Sequence, residues 1–330
     1  MRSLSFRSLT LSFIVMAGLS AVTPLSAQAG EKVTFRHLST NGGIEAFELA
    51  NELGYFEGTD VRLESLGYSQ GGPQSLFGVA SGSIDVGSAA TPAVLNAIAS
   101  GNDFVGVFPG NGINETTRGT FYVLEDSPIT SVNDIAGKTI AVNTLGAHLD
   151  YVVREALYKQ GKQQNEVQLV TVPGPQLEQT LRSKQVDIAA VGHWQATFDG
   201  QLRKNGGVRA IFTDTDILGE IAGGFVVLKR DFINAHPDAV RVFVEQSGRA
   251  ADWARENPED AKAKLAEVLE RRGENKEIAQ FWAGFGLRPA ATPTARDVDF
   301  WIEVLEREGA LPKGKYQAES ILYKRDSSTQ

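Results

Sequence analysis

Small and polar residues cluster where the predicted strands give way to helices. Backbone N–H groups at helix starts, together with hydroxyl and amide side chains, can bind a small oxyanion without a buried arginine. An indole ring among them can cover the organic part of a ligand. We therefore predict that a small molecule is bound, without covalent chemistry, by Thr40, Asn41, Gly42, Gln70, Gly71, Ser88, Ala89, Thr91, Asn111, Thr144, Gly146, Ala147, His148, His193 and Trp194.

The same residue types also have a structural interpretation. Gly71-Gly72-Pro73 and Thr91-Pro92 are typical of any helix start, where they cap the first turn or preset its geometry. His148 and His193 follow predicted strands and fit either a packed core or a ligand contact. The sequence leaves both interpretations open at each of these positions.

The sequence gives little support for catalysis or for a metal site. It contains no cysteine, which removes a thiol nucleophile, a disulfide framework and a lipid anchor at a lipobox. Its four histidines are scattered, so their spacing predicts no zinc site. No glycine-rich nucleotide loop follows a strand. We predict no catalytic residue, no metal and no cofactor.

The first 29 residues predict an export signal. Arg2 and Arg7 precede an apolar stretch from Leu9 to Val22, and Ala27-Gln28-Ala29 places small residues at the positions that a signal peptidase requires. Cleavage after Ala29 removes two arginines, so 30 basic residues remain against 40 acidic ones and the net charge falls from −8 to −10. We expect an acidic periplasmic protein, for which nucleic acid and anionic membranes are poor partners.

A short unit occurs twice, at Leu76 to Gly87 and at Leu177 to Ala189. In each copy an amphipathic helix ends in a turn, and Asp85 or Asp187 follows at the entry of a buried strand. We expect both aspartates to be structural, tying the helix end to the strand by side-chain hydrogen bonds. The duplication predicts two similarly built α/β lobes that close on a ligand.

Strands alternate with helices along the chain, which favours parallel sheets with helices on both faces. Extended segments at Thr117 to Leu124 and Gly223 to Leu228 are expected to cross between the lobes. They predict a first lobe of residues 30–118 with 224–330, a second lobe of residues 119–223, and a two-segment hinge.

Two further expectations concern the hinge and the C-terminal part. Near the hinge, Arg118 is expected to form an ion pair with Glu115 or Glu220 rather than to contact an anion. From Asp231 onward the pattern is helical, with helix starts predicted at Pro237, Pro258 and Pro293 and packing against the first lobe.

Several motifs together resemble those of a known family, and their order along the chain is more telling than any one of them. They are Gly54-Tyr55-Phe56, Gln70-Gly71-Gly72-Pro73-Gln74, Gly82-Ser83-Ile84-Asp85-Val86-Gly87, Gly137-Lys138-Thr139-Ile140-Ala141-Val142 and Gly146-Ala147-His148. The chain resembles, over about residues 32–320, the periplasmic substrate-binding proteins of ABC importers for aliphatic sulfonates, taurine and nitrate, the NMT1/THI5-like family.

The resemblance implies a type II periplasmic binding protein with a ligand cleft between two α/β lobes. It implies a monomer that captures a small organic anion by lobe closure and delivers it to an inner-membrane permease driven by a separate ATPase. A pyrimidine precursor of thiamine or an aromatic carboxylate is the alternative ligand. An enzyme of the same fold is a further alternative, although the desulfinases among these relatives use a cysteine, which this chain lacks.

Overall fold

The computed structural model of the protein describes residues 32–325, and the predicted export signal at residues 1–29 lies outside them. The strands are β1 (Val33–Thr40), β2 (Val61–Ser69), β3 (Gly87–Ala90), β4 (Phe104–Ile113), β5 (Thr120–Leu124), β6 (Thr139–Val142), β7 (Gln168–Thr171), β8 (Ile188–Val191), β9 (Val208–Thr213) and β10 (Ile221–Lys229). The helices are α1 (Ala46–Glu52), α2 (Gly72–Ser81), α3 (Thr91–Ala99), α4 (His148–Lys159), α5 (Gly174–Arg182), α6 (Ala196–Asn205), α7 (Asp214–Leu218), α8 (Arg230–Ala235), α9 (Pro237–Glu256), α10 (Pro258–Arg271), α11 (Arg296–Arg307) and α12 (Ala318–Ile321).

The strands form a mixed α/β fold with three sheets. β1 and β2 pair in parallel, β3, β10 and β4 form an antiparallel sheet in that order, and the third sheet has the order β7-β6-β8-β5-β9. The expectation of purely parallel sheets is wrong for β5 and β10, which run antiparallel to their neighbours. Parallel neighbours need a crossover connection, whereas these two strands arrive directly from another sheet.

The chain passes twice between the three-stranded and five-stranded sheets. The first passage is the β4–β5 connection, where Arg118 Nη1 lies 3.7 Å from Glu115 Oε2, as expected from the sequence. The second is the β9–β10 connection, which contains α7. The first passage overlaps the predicted segment Thr117 to Leu124, whereas the second ends just before the predicted segment Gly223 to Leu228, which lies within β10. The division into two moving lobes stays a prediction.

Aromatic packing fixes α9 against side chains between residues 35 and 108. The ring of Phe243 stacks on Phe35 with centroids 4.6 Å apart, and Phe47, Phe56 and Phe108 surround the same ring. All five side chains are buried. Since burying one such side chain contributes about 1.5–3 kcal/mol, this cluster holds the C-terminal helices on the early strands, as the sequence predicts.

The two predicted aspartates make matching contacts. Asp85 Oδ2 accepts the backbone N–H of Arg36 at 3.0 Å while the Asp85 N–H donates to Arg36 O at 2.9 Å. Asp187 does the same with Thr139, at 2.9 and 3.0 Å. Both are therefore structural, since Asp85 ties its segment to β1 and Asp187 ties its segment to β6. Arg36 Nη2 also donates to Asp85 Oδ1 and to Gly82 O, which connects Asp85 to the end of α2.

Some predicted element boundaries are wrong. Ile84 to Val86 precedes β3, because the N–H groups of Asp85 and Val86 both donate to Arg36 O and leave the strand to begin at Gly87. Pro293 does not start a helix. The helix begins at Arg296, with Asp297 accepting the N–H of Thr294 at 2.7 Å, so the chain turns once more before the helix.

Within residues 32–325, no helix combines the length and apolar character needed to cross a membrane.

Candidate functional site

One cavity of about 150 Å³ is lined by strand–helix junctions from all three sheets. By the same measure a single water needs roughly 10–15 Å³, so the cavity has room for a small organic molecule. Its wall also includes a segment that follows α10, from which Trp282 and Phe285 reach the cavity. The junctions bring together backbone, hydroxyl, amide and aromatic groups, which is the composition expected of a small-molecule site.

The structure brings most of the sequence-predicted residues to this cavity. Those in its lining are Thr40, Asn41, Gln70, Gly71, Ser88, Ala89, Asn111, Thr144, Ala147, His148, His193 and Trp194. Gly42, Thr91 and Gly146 do not line it. Gly42 lies against Phe198, Thr91 is the buried first residue of α3, and the Gly146 N–H donates to Asp150 at 2.7 Å. Ligand contact by the lining residues stays a prediction.

Sequence reasoning missed other lining residues. Glu45 follows a predicted junction by two residues, and its charge next to a glycine-rich loop is a signal that could have found it. Phe198 lies on α6, and Trp282 and Phe285 lie more than 80 residues further along the chain. Nothing in their local pattern distinguishes them from core aromatics.

Glu45 is the acidic side chain of the cavity. It precedes α1, and Thr40 Oγ1 donates to its Oε1 at 3.5 Å. Burial, and then the charge of Glu48, raise the pKa of Glu45 to about 7, although hydrogen bonds from Ser88 and Thr40 oppose the rise. Near neutral pH this carboxyl therefore exchanges between its protonated and ionised forms.

A buried carboxylate lies behind the histidines of the cavity wall. His148 Nε2 lies 2.9 Å from Asp214 Oδ2, and the N–H of Gly119 donates to Asp214 Oδ1 at 2.9 Å. Burial opposes the charge of Asp214, but the neighbouring rings of His148 and His193 outweigh it and lower its pKa to about 2. Asp214 therefore holds the α4 start and the β4–β5 connection together.

His193 links two sheets. Its Nε2 lies 2.7 Å from Asn111 Oδ1, with Nε2 as donor in this amide orientation. Burial lowers the pKa of His193, against the hydrogen bond and charge of Asp214, which favour the protonated ring. Trp194 packs edge-on against His193 and His148, with centroids 4.8 and 5.8 Å apart. The two histidines thus brace the indole that faces the cavity.

The profile of the family described as NMT1/THI5 like matches residues 43–261. The chain belongs to the NMT1/THI5-like family. The match includes the junctions of β3, β6, β7 and β8 that line the cavity. No curated protein matches the sequence.

Solved structures show the same periplasmic binding protein fold. The aliphatic sulphonate binding protein SsuA from Escherichia coli is 19% identical, covers 88% of this chain and 92% of its own, and superposes with a TM-score of 0.68. The alkanesulfonate-binding protein SsuA from Xanthomonas axonopodis pv. citri, bound to MOPS, is 18% identical, covers 89% of this chain and 99% of its own, and has a TM-score of 0.69. The nitrate-binding protein NrtA from Synechocystis PCC 6803 is 14% identical, covers 86% of this chain and 84% of its own, and has a TM-score of 0.65.

In this NMT1/THI5-like chain, folding brings together a His-His-Asp cluster that the histidine spacing does not reveal. The ligand-type atoms of His148, His193 and Asp214 lie within 4.8 Å of one another. Bonds of about 2.0–2.1 Å to a tetrahedral zinc would hold such atoms roughly 3.3 Å apart. The 2.9 Å separation of His148 Nε2 and Asp214 Oδ2 is instead that of a hydrogen bond. The geometry therefore favours a structural network.

Proposed function

We propose that this protein is the solute-binding component of an ABC importer and works in the periplasm. The observation that carries the proposal is the convergence of strand–helix junctions from all three sheets on one cavity. Membership of the NMT1/THI5-like family and the periplasmic binding protein fold support it. The predicted signal peptide agrees with this location.

The ligand that we propose is a small organic anion of the alkanesulfonate, taurine or nitrate type. The starts of α2 and α4 adjoin the cavity and offer the positive ends of their dipoles. Gln70, Asn143 and Thr144 add amide and hydroxyl donors in the same lining. The similar solved structures include an aliphatic sulphonate binding protein and a nitrate-binding protein, which favours the same ligand class.

A pyrimidine precursor of thiamine or an aromatic carboxylate is the second candidate class. The observation that favours it is the number of aromatic rings in the cavity wall, which comprise Trp194, Phe198, Trp282 and Phe285. Aromatic side chains stack on planar rings and enclose them at little cost in conformational freedom.

Capture occurs by closure in this proposal. Ligand binds first to the junctions of residues 30–118, and the junctions of residues 119–223 complete the site as Thr117 to Tyr122 and Gly219 to Phe225 bend. The closed form is the one that a membrane permease recognises, and a separate ATPase supplies the energy. The chain acts as a monomer in this proposal. It does not act as an enzyme, because it has no cysteine for the chemistry of the desulfinases that share this fold.

Thermal unfolding against a ligand panel tests the proposal. The mature protein, refolded to remove carried-over ligand, is heated with alkanesulfonates, taurine, nitrate, sulfate, aromatic carboxylates and pyrimidines. A ligand at about a thousand times its Kd adds roughly 4 kcal/mol, which raises the unfolding midpoint by several degrees. A selective shift with the ligand recovered intact supports a binding protein. A chemically altered ligand supports an enzyme, and no shift with any compound contradicts the proposed ligand classes.

A further inference from the structure

The cavity contains one acidic side chain and no basic one to balance it. Among the described residues, Glu45 is the acid in the lining, and neither lysine nor arginine lines the cavity. The remaining titratable lining residues are His148 and His193, which contact Asp214 and Asn111 rather than Glu45. An ionised Glu45 would therefore give this part of the cavity a negative charge.

Nearby acids have partners that Glu45 lacks. Glu48 Oε1 lies 2.7 Å from Arg272 Nη2, and Glu274 Oε2 accepts the Gly42 N–H at 2.6 Å. In the part of the chain that the structure describes, no ion pair includes Glu45, and its side-chain neighbours are the hydroxyls of Thr40 and Ser88. A partly buried carboxyl without a cation is costly in its ionised form, and its position at the start of α1 offsets only part of that cost.

The position of Glu45 is fixed by its surroundings. The Glu45 N–H donates to Glu48 Oε2 at 2.9 Å, which holds the backbone at the start of α1. A side chain at Gly110 would lie 3.6 Å from Glu45 Oε2 and 3.2 Å from Ser88 Oγ, so this glycine leaves the carboxyl room beside β4. The carboxyl thus stands preorganised in the lining, as a specificity-determining group should.

We propose that Glu45 forms a subsite for a protonated amine, and that the natural ligand carries such an amine together with its anionic group. The inference rests on the proposed solute-binding function and deepens it by naming the ligand class, a small zwitterion. The ammonium supplies the cation that Glu45 lacks, while the anionic group faces the helix starts of α2 and α4. A pKa of about 7 for the empty site means that binding the amine also expels a proton from Glu45.

Two matched ligand series test this subsite by isothermal titration calorimetry. The first is taurine, isethionate and ethanesulfonate, which differ in having an ammonium, a hydroxyl or a hydrogen at one carbon. The second is β-alanine, 3-hydroxypropanoate and propanoate. We expect the native protein to bind the amine of at least one series tenfold or more tightly than its two analogues. At pH 7 that binding should release roughly half a proton, measured in buffers of different ionisation enthalpy.

Two variants distinguish an effect of the Glu45 charge on ligand binding from an effect on folding. Glu45→Gln keeps the shape of the side chain and removes its charge, and we expect it to lose both the amine preference and the proton release. Glu303→Gln removes the same charge from an exposed site on α11 and should keep both. Since Glu45→Gln removes an uncompensated charge, its thermal midpoint should equal or exceed that of the native protein.

Equal affinity for the three members of each series overturns the amine subsite, as does an amine preference that survives in Glu45→Gln. The proposed binding function would still stand in both cases, because a ligand is bound. Failure to bind any of the six compounds at millimolar concentration also overturns the subsite as stated, and the broader panel described above decides the proposed function independently.

Discussion

His193 Nε2 lies 2.7 Å from Asn111 Oδ1, and this contact joins the turn after β8 in the five-stranded sheet to β4 in the three-stranded sheet. Both residues also line the cavity. This hydrogen bond therefore contributes both to the placement of the two sheets and to the shape of the cavity.

Asn111→Ala should destabilise the protein by about 1–3 kcal/mol, because it leaves the His193 Nε2–H buried without its acceptor. The free energy of unfolding in urea measures the loss. Asn165→Ala, at an exposed position just before β7, is the matched control and should stay within about 0.5 kcal/mol of the native protein. Equal stability of the two variants would show that the contact contributes nothing to the native fold.

Asp214→Asn should make the protein less stable at neutral pH but less sensitive to acid. The pKa of Asp214 falls from the ordinary value of 3.8 to about 2 in the fold, so its charge contributes stability above pH 3.8 that is lost as the pH falls through about 2. The difference between these two pKa values, 3.8 and about 2, corresponds to roughly 2 kcal/mol of folding stability.

Urea unfolding between pH 5 and pH 2 tests this assignment. The native protein should lose stability more steeply than Asp214→Asn over the lower part of that range. Asp238→Asn changes an exposed acid on α9 and should follow the native slope. A native-like slope in Asp214→Asn would mean that other acids carry the acid sensitivity.

Trp194→Ala should weaken ligand binding tenfold or more, about 1.4 kcal/mol, because it removes an aromatic wall of the cavity. The measurement is the Kd of whichever ligand the panel identifies. Trp253→Ala, on α9 and outside the cavity lining, is the control for loss of an indole and should leave the Kd unchanged. An unchanged Kd in Trp194→Ala would remove this residue from the site.

His148 shows where the sequence alone was insufficient. A motif identified it as a candidate contact, and it does line the cavity. Its ring is nevertheless fully buried and bonded to Asp214, 66 residues away. Truncating it would remove the hydrogen-bond partner of the buried Asp214 Oδ2, so a clean loss of affinity is not expected from His148→Ala.

The junction loops could be predicted because glycine, serine and threonine between a strand and a helix are local signals. Trp282 and Phe285 could not, since their place in the cavity depends on how a distant segment packs. Similarly, the strand at Thr139–Val142 could be predicted from its apolar run. The antiparallel direction of β5 could not, because it depends on which sheet β5 joins.

Two glycines in the segment that carries Phe285 give a final test of how the cavity wall is held. Gly286 has φ +65°, and its backbone packs directly against that of Gly112. A Cβ at Gly286 would lie only 2.5 Å from Gly112 O. Gly284 has φ +85° and open space around it. The Gly112 N–H donates to Phe285 O at 2.9 Å, so the same approach positions the aromatic ring.

Gly284→Ala should cost about 1–2 kcal/mol from the left-handed backbone alone. Gly286→Ala should cost about 1–3 kcal/mol more, since the added methyl group must also push the segment away from β4. Urea unfolding gives both values, and ligand affinity should fall further in Gly286→Ala because Phe285 moves with the segment. Equal losses in the two variants would show that the close approach of Gly112 and Gly286 does not hold this wall in place.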